Sequence, residues 1–140
     1  MNRDAIEALL RRHHEAFAAR DAVTLASHHA AEGIFESPAA GRIHGRQAIE
    51  HVYRYWFEAF PDMRFTWDPP IIDGDEAALF WLFSGTIRGP FFGVTVPGTH
   101  VEMKGAAHYR FIDDGIAEAW HIFDFSAVLM KAGVLKARPV

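Results

Sequence analysis

The strongest constraint on the fold is a pair of long strand-like runs near the C-terminus, separated by the turn sequence "DDG" at residues 113–115. The runs are "HVEMKGAAHYRFI" and "IAEAWHIFDF", and both are rich in residues that favour strands. A three-residue loop at "DDG" would pair them as an antiparallel hairpin with Ile112 opposite Ile116. Two further strand-like runs, "MRFTW" and "AALFWLFSGTIRG", precede the hairpin, so we predict an antiparallel sheet in the second half of the chain.

The first half of the chain shows helical periodicity instead. Apolar residues recur at helical spacing from about Arg3 to Arg20, and again from Gln47 to a "PD" sequence, which predicts two amphipathic helices. Asp21 is placed to cap a short helix over "AVTLASHH", while "IFESP" indicates a short strand and "AAGRIHGR" a loop. Helices followed by a curved antiparallel sheet indicate an α+β domain.

Length and charge narrow the class of protein. The chain has 140 residues, the size of one ordinary domain, so we expect a single domain over residues 1–140. Its formal net charge is −4 and its basic residues are scattered, so we expect no nucleic-acid partner. No apolar run approaches the roughly 20 residues that cross a bilayer, and "MNRDAIEALL" lacks the form of a signal peptide. There is no cysteine, and we expect a soluble cytoplasmic protein without disulfides or thiolate metal sites.

The pairing of the hairpin decides which side chains face a cavity between the helices and the sheet. It places His121 opposite Ala107, and successive side chains alternate between the two faces. The first face carries Ala107, Tyr109, Ala119, His121 and Phe123, and the second carries His108, Arg110, Glu118 and Trp120. Because the second face is charged and the first is mostly apolar, we expect His121 to point into the cavity and His108 to point away from it.

An apolar cavity in this position would be lined by aromatic side chains and would suit a flat, hydrophobic ligand. Ser37 lies at the expected mouth, but it has no G-x-S-x-G context, so a hydrolase nucleophile is not indicated. The Gly- and Pro-rich sequence "IRGPFFGVTVPG" is expected to form the rim, where Phe91 and Phe92 would cover the ligand or contact a second subunit. The residues expected to contact the ligand are Trp56, Phe60, Phe83, Phe91, Phe92, Phe123 and Ser37.

Three segments together resemble the SnoaL-like polyketide cyclase family: "FESP…GRIHGRQAI", "SGTIRGPFFGVTVPG" and "GAAHYRF…DGIAEAWHIFD…LMKAG". This family belongs to the nuclear-transport-factor-2-like superfamily, together with ketosteroid isomerase and limonene epoxide hydrolase. The resemblance implies a cone-shaped α+β barrel, with three N-terminal helices packed on a strongly bent antiparallel or mixed sheet. It also implies a pocket at the open end and a homodimer packed through the sheet. The scaffold hosts many activities, so the resemblance is more informative about fold than about reaction.

The resemblance transfers unevenly to individual residues. In SnoaL-like cyclases the last strand typically carries a Trp-Asp pair whose Asp acts as general acid/base, whereas here Trp120 is followed by His121. A histidine can take that role because its pKa lies near neutrality. The ketosteroid isomerase residues are not retained, since its general base aligns with Ser37 and its two oxyanion donors with His13 and Ala107. Steroid isomerisation by that mechanism is therefore not expected.

Two further candidates each have two interpretations. His13 lies on the apolar face of the first helix and is either a hydrogen-bonded core histidine or part of the pocket wall, where the isomerase alignment puts it. Asp124 is either the N-cap of a closing helix over "FSAVLMKAG", which we favour, or a carboxylate of the site. His14 and His29 are expected to face solvent. Adjacent helical residues diverge by about 100°, so neither His-His pair should supply two ligands to one metal, and we expect no metal site.

The favoured hypothesis is a small cofactor-independent enzyme of the SnoaL-like type that binds a hydrophobic carbonyl compound. It would move a proton at the carbon next to the carbonyl and so bring about cyclisation or isomerisation. His121 would be the proton shuttle, with Tyr109 and His13 as hydrogen-bonding partners. The alternative is a non-catalytic binding protein for a hydrophobic small molecule, favoured by the missing carboxylates. An epoxide hydrolase would need an Asp-Arg-Asp arrangement that these strands lack.

Overall fold

The computed structural model describes residues 1–94 and 98–136, and it confirms an α+β fold with a curved sheet. The elements in chain order are α1 (Arg3–Ala18), α2 (Ala22–Ser27), β1 (His29–Ser37), β2 (Gly41–His44), α3 (Arg46–Ala59), β3 (Arg64–Trp67), β4 (Ile71–Asp73), β5 (Glu76–Thr86), β6 (His100–Ile112), β7 (Gly115–Phe123) and α4 (Phe125–Lys131). Among the described residues, no helix combines the length and the apolar character that crossing a membrane requires.

The sheet has seven strands in the order β2-β1-β7-β6-β5-β3, with β4 also paired to β5. All pairs are antiparallel except β1 with β7, which is parallel, so the sheet is mixed, as the resemblance implied. The three N-terminal helices bury their apolar faces against one face of the sheet, where the hydrophobic core lies. The predicted closing helix is α4.

Side-chain caps fix where three of the helices begin. The side chain of Asn2 accepts a hydrogen bond from the Ala5 N–H at the start of α1, and Asp21 accepts one from the Thr24 N–H at the start of α2. Such caps satisfy backbone N–H groups that have no partner within the helix. The cap at Asp21 confirms the prediction, but α2 ends at Ser27 and is shorter than the predicted "AVTLASHH".

Three short features of the sheet differ from the sequence-based expectations. The segment predicted as a loop, "AAGRIHGR", contains the edge strand β2, and β4 was not predicted. Strand β1 begins at His29, five residues before the predicted "IFESP". Strands β2 and β4 lie at the edge of the sheet, where both faces can contact water, so they lack the apolar alternation of central strands. In the predicted rim, Phe91 and Val94 form an isolated bridge, while residues 95–97 lie outside the described residues.

The hairpin of β6 and β7 has the predicted register around the candidate site, with Ala107 opposite His121. Near the turn the prediction is wrong by one residue, because Ile112 pairs with Gly115 and the turn itself has two residues. A bulge that leaves Ala117 without a direct partner restores the predicted register further along the strands. The alternation of faces at the candidate site therefore follows the prediction, although the turn does not.

Candidate active site around His121

A small, mostly apolar cavity lies between the helices and the inner face of the sheet. Its volume is about 70 Å³. Its wall consists of Phe17, Phe35, Ser37, Val52, Tyr53, Trp56, Phe57, Met63, Phe65, Trp81, Phe83, Met103, His121 and Phe123. None of these described lining residues is acidic, so the side chains that can exchange or donate protons here are the imidazole, two hydroxyls and two indole N–H groups.

His121 is the histidine that lines this cavity. Its side chain points inward from β7 and is 6% exposed. Its ring nitrogens make no hydrogen bond within the described residues, and they remain accessible from the cavity. Burial lowers the pKa of His121 from 6.5 to about 4, because the apolar surroundings disfavour the charged form. The imidazole is therefore neutral at physiological pH, with one nitrogen able to accept a proton.

Two small residues on β6 make room for the site. Gly105 lies opposite Trp81, and a Cβ atom there would lie 2.1 Å from the Cζ2 atom of the indole ring. Ala107 lies opposite His121, so the imidazole projects into the cavity over a short side chain. Trp81 Nε1 is buried without a partner among residues 1–94 and 98–136. Since an indole N–H can only donate, Trp81 is a donor within the aromatic wall of the cavity.

Ser37 provides a second donor at the cavity. It ends β1 with its side chain buried, and its Oγ accepts a hydrogen bond from the Ala40 N–H over 3.0 Å. Because the backbone N–H uses a lone pair of this oxygen, the hydroxyl proton stays available for donation to a ligand. Ser37 thus lines the cavity as predicted, in a position to bind rather than to act as an activated nucleophile.

The predicted aromatic contacts divide into two groups. Trp56, Phe83 and Phe123 line the cavity, whereas Phe60 and Phe91 lie outside its lining and are fully buried. Both of these pack on the ring of Trp56, with centroid distances of 5.7 and 5.2 Å. Phe92, the remaining aromatic residue predicted to contact the ligand, is partly exposed, and its N–H donates to the Tyr55 hydroxyl. Phe92 lines an outer groove beside α3, and direct ligand contact from these three phenylalanines stays a prediction.

His13 and Tyr109 do not hydrogen-bond to His121 in the structure. His13 is completely buried but lies outside the cavity lining, because α1 directs it towards the junction of α2 and β1. There its Nδ1 lies 2.8 Å from the Nδ1 of His28. Tyr109 faces the core with its ring centroid 6.0 Å from that of His121, and its hydroxyl has no partner in the described part of the chain. The predicted role of both residues as direct partners of His121 is therefore corrected.

His29 is a buried polar residue whose position was predicted wrongly. It was expected to face solvent as part of a helical His-His pair, but α2 ends at Ser27 and His29 begins β1 with its side chain inside. Its Nε2 lies 2.7 Å from the hydroxyl of Tyr53, a residue on the buried face of α3 that the sequence reasoning missed. The helical spacing of Tyr53 with Ile49 and Trp56 was the available signal.

The remaining candidates lie away from the cavity. His108 is on the outer face of the sheet, as predicted, with its Nε2 3.4 Å from a Glu76 carboxylate oxygen. Asp124 is exposed, and its side chain accepts a hydrogen bond from the Ala127 N–H over 3.0 Å at the start of α4. The interpretation of Asp124 as a helix cap is therefore confirmed. No group of three or more potential ligand side chains within the described ranges could hold a metal ion.

An open groove on the outer side of α3 adjoins the cavity. Its lining is mostly apolar and includes Phe92, with polar side chains that include those of His44, Arg46 and His51. Val52 and Trp56 line both the groove and the cavity, so these two side chains form the partition between them.

A comparison with protein families identifies the family of this chain. The sequence matches the SnoaL-like polyketide cyclase family over residues 7–131. Among solved structures, IdmH from Streptomyces antibioticus, a candidate polyketide cyclase, is 29% identical with a TM-score of 0.73, over 91% of this chain and 97% of its own. AclR from Streptomyces galilaeus, a candidate hydroxylase, is 21% identical with a TM-score of 0.82, over 99% and 91% of the two chains. No curated protein is similar enough in sequence to count as a match.

Proposed function

Since the chain belongs to the SnoaL-like polyketide cyclase family, we propose that it is a small cofactor-independent enzyme acting on a hydrophobic carbonyl compound of polyketide-like or polycyclic type. It moves a proton at the carbon next to a carbonyl, which leads to cyclisation or isomerisation. The observation that carries the proposal is His121, a neutral imidazole whose nitrogens lack protein partners among the described residues and which lines a mostly apolar cavity. A cytoplasmic location stays a prediction from the sequence.

The proposed step needs only proton transfer. His121 takes a proton from the carbon next to the carbonyl, and the electron pair of the broken C–H bond moves into an enolate. In cyclisation, the enolate carbon attacks a second carbonyl of the same molecule, and the resulting alkoxide receives the proton from the imidazolium. In isomerisation, the proton returns to a different carbon. The enolate raises the pKa of His121 while it is present, because an opposite charge nearby favours the imidazolium.

Two neutral donors support the enolate in this proposal. The Ser37 hydroxyl and the Trp81 indole N–H belong to cavity-lining residues, and both can donate to an oxygen that gains negative charge. Donors fixed in a site that excludes water stabilise developing charge more strongly than water does. The pair replaces the oxyanion residues of ketosteroid isomerase, which this chain does not retain.

The substrate must enlarge the cavity when it binds. Pockets that bind drug-sized ligands usually have volumes of about 300–1,000 Å³, far above the 70 Å³ of this cavity. Val52 and Trp56 separate the cavity from the outer groove, so rotation of the Trp56 ring would join the two spaces. We propose that the reacting end of the substrate lies against His121 while a polar end occupies the groove beside His44 and His51.

The second candidate is a binding protein without catalytic activity. Two observations favour it: the described lining of the cavity contains no carboxylate, and neither His13 nor Tyr109 orients the His121 ring. A binding protein and an enzyme would hold the same kind of ligand, but only the enzyme would exchange the ligand's α-hydrogens in a way that depends on the protonation of a histidine.

The test is hydrogen–deuterium exchange at the α-carbon of hydrophobic 1,3-dicarbonyl compounds in D₂O, followed by NMR. Wild-type protein should catalyse the exchange, and His121→Gln should lower its rate by roughly 10²–10⁴-fold, the usual contribution of a general base. The matched control is His108→Gln, which changes a histidine of the same hairpin on the opposite face. Equal exchange by wild type and His121→Gln would refute the assignment, and binding without any exchange would favour the second candidate.

We also propose that the protein is a homodimer packed through the outer face of the sheet. Four large apolar side chains lie there about half exposed: Phe80, Leu82, Trp120 and Ile122. Phe80 and Ile122 both flank Ala106 across neighbouring strands, so they form one continuous surface. Monomers seldom expose an apolar surface of this kind, and a second copy would cover it with the same residues by two-fold symmetry.

A further inference from the structure

The outer groove is large enough to hold the part of a substrate that the cavity cannot hold. Its volume is about 1040 Å³, against 70 Å³ for the cavity, and pockets for drug-sized ligands usually have about 300–1,000 Å³. One wall of the groove is β2 with the loop before it, and the other is the outer side of α3. Most of a bound substrate would therefore lie in the groove, with only its reacting end beyond Trp56.

The groove is a basic region on an acidic protein. Beside its apolar and aromatic residues it is lined by His44, Arg46, Gln47 and His51, and none of its described lining residues is acidic. The chain as a whole has a formal net charge of −4. Arg46 supplies a permanent positive charge, and each imidazole has at least one ring N–H to donate. This lining is complementary to a single negative charge.

Arg46 is held by contacts that leave its terminal nitrogens available. Its Nε donates to the backbone carbonyl of His29 over 2.7 Å. Its Nη2 lies 3.7 Å from one carboxylate oxygen of Asp114, which is beyond hydrogen-bond distance, and the other oxygen of that carboxylate accepts a hydrogen bond from the Ala31 N–H over 2.8 Å. Within residues 1–94 and 98–136, Nη1 and Nη2 make no hydrogen bond. A guanidinium oriented in this way can donate two N–H groups to the two oxygens of a carboxylate.

Two carboxylates outside the lining offset part of this positive charge. Glu32 Oε2 lies 3.3 Å from His44 Nε2, and Asp114 faces Arg46. These acidic side chains are 83% and 55% exposed, so solvent screens both pairs. His51 is exposed and has no ion pair or hydrogen bond from its side chain in the described part of the chain. Arg46 and His51 are therefore the groups of this lining with the most capacity to bind an anion.

The basic end of the groove and the cavity lie near opposite ends of α3. The residues of α3 that line the groove beyond its first turn recur at helical spacing and form one stripe: Ala48, His51, Val52, Tyr55 and Trp56. Arg46 is the first residue of α3, and Trp56, at the partition with the cavity, lies about 15 Å further along the helix axis. A ligand that reaches both Arg46 and the cavity must be elongated.

We propose that the substrate is an elongated carboxylic acid whose carboxylate binds to Arg46 and His51 in the outer groove while its carbonyl end enters the cavity. The inference rests on the proposed function for the reacting end, but the carboxylate site can be tested without any reaction. One permanent positive charge suits a carboxylate better than a phosphate monoester, which carries up to about two negative charges at neutral pH. A carboxylate held at this distance would also orient the carbonyl end towards His121.

The binding of two matched ligands tests this site. One is a naphthyl-substituted fatty acid that is long enough to extend from the cavity to Arg46, and the other is the primary amide of the same acid. In isothermal titration calorimetry at low ionic strength, wild type should bind the acid roughly tenfold more tightly than the amide, the scale of a hydrogen bond to a charged group. Added salt should weaken binding of the acid and leave binding of the amide unchanged.

Variants of α3 assign the preference to individual residues. Arg46→Gln should abolish the preference for the acid, and His51→Ala should reduce it while leaving the contacts of Arg46 intact. The ratio of the two affinities is the readout, because a distorted fold would weaken binding of both ligands. The matched control is Arg54→Gln, which changes an arginine of the same helix that donates to Glu50 outside the groove, and it should keep the wild-type ratio.

Nitrogen NMR locates the bound carboxylate. Addition of the acid should shift the Nε–H signal of Arg46 and the ring signals of His51, and it should leave the Nε–H signal of Arg54 in place. Shifts at Arg54 equal to those at Arg46 would show a general effect of the added charge and would overturn the site.

The outcomes separate this proposal from the proposed function. An acid that wild type binds no more tightly than the amide, or a preference that Arg46→Gln and His51→Ala both retain, would overturn the carboxylate site and leave the role of His121 untouched. A long-chain phosphate monoester that binds more tightly than the acid would overturn the choice of a carboxylate. If no carbonyl compound exchanges its α-hydrogens, the proposed function fails, whereas a preference for the acid that depends on Arg46 would still establish the carboxylate site.

Discussion

Replacing His121 with glutamine should make the protein less sensitive to acid. In the folded protein, burial lowers the pKa of His121 to about 4, whereas an unfolded chain has a value near 6.5. Above pH 6.5 neither state binds a proton at this residue. As the pH falls below 6.5, the unfolded state binds a proton that the folded state refuses until about pH 4, so the free energy of unfolding decreases through this window.

The size of the effect follows from the two pKa values. Between about pH 7.5 and pH 5, the linkage relation gives a loss of about 2 kcal/mol from this residue, and the full loss approaches about 3 kcal/mol below pH 4. The conversion applies because the side chain is 6% exposed and little screened by solvent. His29 and the carboxylates also respond to acid, but they are present in both proteins and cancel in the difference between them.

Urea denaturation at several pH values between about 7.5 and 5 would measure this difference. The free energy of unfolding of wild type should fall by about 2 kcal/mol more than that of His121→Gln over this range. His108→Gln, a change on the outer face of the same hairpin, should follow wild type. Parallel pH dependence of wild type and His121→Gln would refute the reasoning, because it would mean that the His121 ring is solvated in the folded protein.

Three further changes test other parts of the structure. Asp124→Ala removes the cap of α4, so it should lower the free energy of unfolding by about 1 kcal/mol in urea denaturation and leave α-hydrogen exchange unchanged. Loss of exchange at unchanged stability would instead make Asp124 part of the site. Gly105→Ala places a methyl group where the Trp81 indole lies and should cost about 1–3 kcal/mol by urea denaturation; an unchanged midpoint would show that the ring can move freely. Leu82→Glu puts a charge on the exposed apolar face and should turn a dimer into a monomer in sedimentation; a wild type that sediments as a monomer at micromolar concentration would contradict the dimer proposal.

The parts of the structure that the sequence predicted depend on local patterns. The inward direction of His121 follows from the strict alternation of side chains along a strand, and the opposite direction of His108 follows from the same rule. Asp124 precedes an apolar run in a position where a carboxylate stabilises a helix start, so its role could also be predicted. The long helices and strands were predicted for the same reason, because their periodicity extends over many residues.

The features that the sequence did not predict depend on contacts between distant segments, or on the position of a helix end to within one or two residues. His29 is buried because α2 ends two residues earlier than its composition indicates, and helix ends are poorly determined by local propensity. The contact between His13 and His28 joins α1 to the end of α2, which no spacing rule connects. Tyr53 looked like an ordinary member of an apolar helical face, and its hydroxyl became informative only when its two histidine neighbours were known.

The bulge at Ala117 lies between the hairpin turn and His121, and it affects which changes in chain length the hairpin can absorb. A three-residue turn without a bulge and a two-residue turn with a bulge use the same residues to bring Ala107 opposite His121. Loss of one residue near the tip can therefore be absorbed by loss of the bulge, which leaves a two-residue turn while the imidazole stays in the cavity. An insertion or deletion of one residue between Ala117 and His121 has no such compensation. It would turn His121 to the outer face and bring Trp120 into the cavity, so the tip of this hairpin tolerates changes in length that the rest of β7 does not.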